Sequence, residues 1–101
     1  MSSLGKELQE TIRNLEKIRD SQSAPSDDVL SKLDKLYAQQ IDLIDAEIKK
    51  STAEYSKATK AMKGAAKKTK EAIDDLAKLE KAIEKVADAI GMVTELLSKV
   101  A

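Results

Sequence analysis

The chain has 101 residues, 18 basic against 18 acidic, with no His, Cys, Trp or Phe and two Tyr as its only aromatics. That length leaves room for one domain burying a little over ~60% of its unfolded surface, so interfaces with other molecules would add usefully to its stability. Zero cysteine excludes disulfides and thiolate zinc sites, and zero net charge points away from a protein that binds nucleic acid as a whole. The mixture of Ala, Leu, Ile, Glu and Lys is that of long helices rather than of a disordered chain.

Leu4, Leu8, Ile12, Leu15 and Ile18 form one apolar stripe and predict an amphipathic helix over residues 3–21, starting near Ser2 or Ser3. Gln22-Ser23-Ala24-Pro25-Ser26 holds the only proline and reads as a loop. Ser26 is placed to cap a second helix, with Asp27 and Asp28 in the first turn where the helix dipole favours negative charge. So short a loop makes the flanking helices antiparallel neighbours.

The second helix carries Leu30, Leu33, Tyr37, Ile41, Ile44 and Ile48. From Tyr55 the seam positions, all apolar but Thr69, alternate three and four apart without a slip: Ala58, Met62, Ala65, Thr69, Ala72, Leu76, Leu79, Ile83, Val86, Ile90, Val93, Leu97, Val100. That average of ~3.5 residues is the seam of a helix packing lengthwise on another. Two positions could interrupt it. Ser51-Thr52-Ala53-Glu54 has the spacing of a capping box, and Gly64 could serve as a C-terminal cap.

Stripe width favours the second. Leu36 and Leu43 broaden the stripe before Ile48, it thins to Tyr55, Met62 and small residues between Ser51 and Thr69, and it broadens again from Ala72. Folding back at Gly64 pairs wide with wide and narrow with narrow. The expected fold is therefore all-α: an antiparallel three-helix bundle with a long helical hairpin, a coiled-coil stalk formed by the second and third helices. The helices span about 3–21, 27–63 and 65–100, with a loop at 22–26, in a single domain 1–101. The alternative keeps Gly64 helical, so that residues 27–100 form one rod that dimerises antiparallel.

Little in the chain points to catalysis. Asp42, Asp45 and Glu47, and Asp74-Asp75, fall where a helix would expose them, and no histidine completes a di-iron or triad constellation. The expectation is a non-enzymatic protein with no cofactor, no metal and no small-molecule substrate. The sharpest local feature is Lys57, Lys60, Lys63, Lys67, Lys68 and Lys70, with no acid between 57 and 70. This basic patch at the expected hairpin tip is either a solvated stalk or a contact for an acidic protein or an anionic membrane surface. Nucleic acid is disfavoured, because no aromatic or Arg accompanies these lysines to stack on bases.

A second candidate surface is Ile90, Gly91, Val93, Leu96 and Leu97, either bundle core or a face for a partner's helix. Gly91 lies beside the seam, where the missing Cβ would let another helix approach closely. The combined expectation is a protein-interaction module of adaptor, chaperone or immunity/accessory type, binding a hetero- or homo-oligomeric partner through a helical face. Peripheral membrane binding through the lysines is the alternative. The absence of an apolar leader or a span of ~20 apolar residues places it by expectation in the cytoplasm, with signal-less export compatible. In length, composition and hairpin shape the chain resembles the small WXG-type secreted proteins and the helical chaperones and accessory proteins of bacterial secretion systems. It has no Trp and so lacks the central motif of the first group, and no residue role is transferred.

Overall fold

A computed structural model describes residues 3–22, 26–45 and 52–100. Among them lie four α-helices, α1 (Leu4–Ser21), α2 (Asp27–Asp45), α3 (Ala53–Asp74) and α4 (Leu79–Val100), with a 3-10 turn at Leu76–Lys78. Each start has a local cause. Ser3 Oγ accepts from the Lys6 amide at 3.2 Å, and Ser26 Oγ accepts from the Val29 amide at 3.3 Å, as the sequence leads one to expect. Thr52 Oγ1 accepts from the Tyr55 amide at 3.2 Å, so the cap of α3 falls one residue after the serine of the expected capping box. Ser51 itself lies outside the described residues, as do Ser23-Ala24-Pro25 of the loop, Ile48, and the side chains of Ile44 and Val100.

The expected helices 27–63 and 65–100 are corrected to three shorter ones, and Gly64 ends none of them. It lies in the interior of α3 with right-handed backbone, since no described glycine has positive φ. The chain instead turns at Asp75, whose Oδ1 accepts from the Ala77 amide at 3.1 Å and whose carbonyl accepts from the Lys78 amide at 3.0 Å. An aspartate capping the next turn is a stronger local signal than a glycine that remains compatible with helix. The projecting two-helix stalk and the single rod are therefore both replaced by a bundle measuring 40 × 22 × 18 Å.

The helices close a ring in the order α1, α3, α4, α2, with α1 and α4 on one diagonal and α2 and α3 on the other. Contacts fix their directions. Leu4 meets Tyr55, Thr11 meets Met62, and Asn14 meets Thr69, so α1 and α3 run parallel. Lys99 Nζ lies 2.9 Å from Glu54 Oε1, joining the end of α4 to the start of α3, which are antiparallel. Tyr37 reaches back to Glu16, making α1 and α2 antiparallel and α2 parallel to α4. The structure is thus two antiparallel hairpins laid side by side. Leu4 contacts Tyr55 and Gln39 contacts Ile90 with the same separation of 51 residues, so both parallel pairs share one register.

Helix α3 packs most closely on its two neighbours because it is thin. Ala58, Ala65, Ala66 and Ala72 are buried with Met62, and their small side chains let α1 and α4 close on either side. On α1, Leu4, Leu8, Ile12, Leu15 and Ile18 all enter the core, as their spacing predicts. On α4 the buried line is Ala82, Val86, Ala89, Val93 and Leu96, with Ile83, Ile90 and Leu97 half-buried beside it.

The expected seam of α2 is rotated. Val29, Leu33, Leu36 and Gln39 are buried, whereas Leu30 is 39% and Ile41 62% exposed. The cause is topological. Helix α2 contacts α1 and α4 and sits diagonally from α3, so its buried arc does not continue the line that leads in sequence to Tyr55. Leu76 is likewise exposed because it falls in the turn.

Candidate docking groove

The six candidate lysines all lie on α3, and none is at a tip, because the helix runs on to Asp74. Lys57, Lys60, Lys63, Lys67 and Lys70 are exposed and Lys68 is half-buried. Lys68 pairs with Glu71 at 3.5 Å, one turn along. Among the described residues the other five make no ion pair. The lysines stand on the outer side of a helix whose inner side is alanine, methionine and Thr69.

Two surface grooves flank this lysine-bearing side. One lies between α3 and α4 and encloses about 560 Å³. Its floor is Ala61 and Gly64 from α3 with Ala87, Gly91 and Met92 from α4. Lys60, Lys67, Lys68 and Lys85 form most of its charged rim, with Asp88 and Glu95 on the α4 side. The second, about 510 Å³, lies between α1 and α3, where Lys60, Lys63, Lys67 and Lys70 stand across from Glu7 and Glu10.

The two glycines explain why the first groove is open. A Cβ added at Gly64 or Gly91 would meet no atom within 4 Å. Neither glycine is therefore required for packing within the bundle. Each weakens its helix by ~1 kcal/mol relative to alanine. Together they remove side chains from the facing walls of one groove, and the exposed Met92 provides its apolar surface.

The second candidate surface is mostly internal. Val93 and Leu96 are core residues at 0% and 2% exposure, and Ile90 and Leu97 are half-buried against the core. Ile90 also offers its carbonyl to Gln39 Nε2 at 2.9 Å, as part of the contact with α2. Only Gly91 of that group faces open space. The structure brings it together with Gly64 and the lysines, two features that the sequence kept apart. Ala61, Lys85, Ala87 and Met92 complete the groove and were not among the expected residues. The available signal was the spacing of small residues, Ala61 to Gly64 and Ala87 to Gly91, three or four apart on the outer sides of both helices.

At the open end of the same helix pair, Lys99 and Glu54 perturb each other. The hydrogen bond from Lys99 holds the Glu54 carboxyl below the usual glutamate range, and Glu54 raises the Lys99 ammonium in return. Both are solvent-exposed, so this clasp is screened by salt. No described helix is long and apolar enough to cross a membrane. No protein-family model, curated protein or solved structure matches this chain.

Proposed function

We propose that the protein is a non-enzymatic helical interaction module whose working surface is the groove between α3 and α4. A helix of a partner protein lies along Gly64 and Gly91, buries its apolar side on Ala61, Ala87 and Met92, and meets the lysines with acidic residues. The single observation that carries this reading is the shared groove of the two glycines: two helix-interior residues that cost stability, face open space and line the same surface. Helix-in-groove docking needs such a shallow apolar trough with a charged rim. An adaptor, chaperone or accessory role would use the same contact.

The test is site-specific photo-crosslinking in the native host. A photoreactive residue at Ala61 should yield protein adducts that the same group at exposed Arg13 on α1 does not. The additional substitution Gly91→Leu, which fills the groove, should remove them. Adducts of equal yield from both positions would contradict the reading.

The exposed lysines also favour a second reading, attachment to an anionic membrane surface. Co-sedimentation with vesicles containing phosphatidylserine separates the two. Binding that survives Gly64→Leu and Gly91→Leu but is lost on Lys63→Glu and Lys67→Glu would favour the membrane.

A further inference from the structure

The groove has a matching counterpart on the same molecule. Among the described side chains of α2, Leu30 and Ile41 are the large aliphatics that are exposed, and they stand three turns apart, within about 20° of each other around the helix axis. Asp34 lies between them and Asp27 beside them, both exposed and within ~60° of Leu30 around the axis. Helix α2 holds five aspartates against two lysines, whereas α3 holds six lysines against three acids. The chain's neutrality is thus the sum of an acidic helix and a basic one.

The two surfaces also match in length. Leu30 to Ile41 spans ~16 Å of helix, and the groove residues 60–68 and 85–95 span ~12–15 Å. They cannot meet within one molecule. Tyr37 shares the Leu30–Ile41 side of α2 and bonds Glu16 of α1, which places that side toward α1 and away from α4. Resting on the reading that the groove docks a helix, we propose that its occupant is the Leu30–Ile41 face of α2 from a second copy of this chain.

In that contact Ile41 and Leu30 enter the two ends of the trough, on either side of the level at which Gly64 and Gly91 face each other. Asp34 and Asp27 approach the lysine rim. The interface is heterologous: each chain offers a groove at one side and a ridge at another, so contacts propagate head to tail into a ring or a filament. A helix laid in one shallow groove buries less than ~1,200 Å², so the association is weak and, being charged, salt-dependent.

The test is sedimentation velocity on the intact chain from ~10 μM to ~1 mM, a range suited to a contact of this small size, at low and high salt. The wild type should sediment faster as concentration rises, more so at low salt. The double substitution Gly64→Leu/Gly91→Leu fills the groove, and Ile41→Lys spoils the ridge. Each should weaken self-association at least ~10-fold while the helical melting transition is retained, because all three sites face solvent. Mixing the groove-filled chain with the ridge-spoiled chain should give 1:1 heterodimers and nothing larger, since the pair retains one good groove and one good ridge.

A wild type that stays monomeric at the highest concentration in low salt overturns this occupant. If Ala61 photo-adducts with another protein still form in that case, the groove reading stands and only the second copy falls. Self-association that persists in either variant, or variants that fail to complement each other, also overturns it.

Discussion

The side-chain amide of Asn14 on α1 donates to Thr69 Oγ1 on α3 at 3.1 Å and to the Ala66 carbonyl at 2.9 Å. Thr69 in turn donates to the Ala65 carbonyl of its own helix at 2.8 Å. All of this is buried, between two parallel helices that are also joined by the Leu4 amide on Tyr55 Oη and the Thr11 hydroxyl on the Met62 carbonyl. Together with those contacts, the pair holds α1 and α3 in one register and sets the two hairpins side by side. Asn14→Ala should destabilise the fold by about 1–3 kcal/mol, through lost hydrogen bonds and the space left behind. Urea denaturation measures it. The double substitution Asn14→Leu/Thr69→Val, which removes both partners, should recover part of that loss.

Thr52→Ala removes the side chain that caps α3 and should cost about 1 kcal/mol in the same experiment. Thr59→Ala is the control. Its hydroxyl only bonds back to the Tyr55 carbonyl within α3 at 2.8 Å, so alanine there should be neutral or mildly stabilising.

Gly64→Ala and Gly91→Ala should each raise stability by ~1 kcal/mol. A loss at either position would mean that the glycine serves the fold itself rather than an open groove. Thermal melting of the two variants decides between these.

Tyr37 Oη donates to Glu16 Oε2 at 2.6 Å. That hydrogen bond, with a smaller contribution from burial, raises the phenol above its ordinary value of about 10. A raised value in the folded state favours the protonated form, so the stabilisation is complete below about pH 10 and is lost as pH climbs through the folded-state value. Tyr37→Phe should therefore be less stable than the wild type near neutral pH. The difference should shrink progressively above about pH 10, and urea titrations at neutral and alkaline pH would measure it.

The all-helical class, the start of α1, the cap at Ser26 and the buried face of α1 were legible because each rests on a local signal of spacing or capping. The hairpin position was not. The three-four seam continues through Asp74-Asp75 without a change of phase, so its regularity is the same whether the chain is straight or folds back there. The rotated face of α2 was hidden for a related reason: Leu30 and Ile41 look like core residues only if α2 packs along the helix that follows it, and the diagonal topology prevents that. Gly64 and Gly91 were both visible as anomalies, but only the pairing of α3 with α4 shows that they open the same groove.

The absence of cysteine makes the most direct measurement simple. One chain carrying Asp34→Cys, at the middle of the Leu30–Ile41 ridge, and another carrying Gly64→Cys, at the middle of the groove, are mixed in equal amounts and oxidised mildly. If the groove takes the α2 ridge of a second copy, the two thiols approach within the ~7 Å Cα separation that a disulfide tolerates. The mixture should then yield disulfide-linked heterodimers of the two variants well above either homodimer, with the excess abolished by high salt. Heterodimers at or below the statistical proportion would contradict the account.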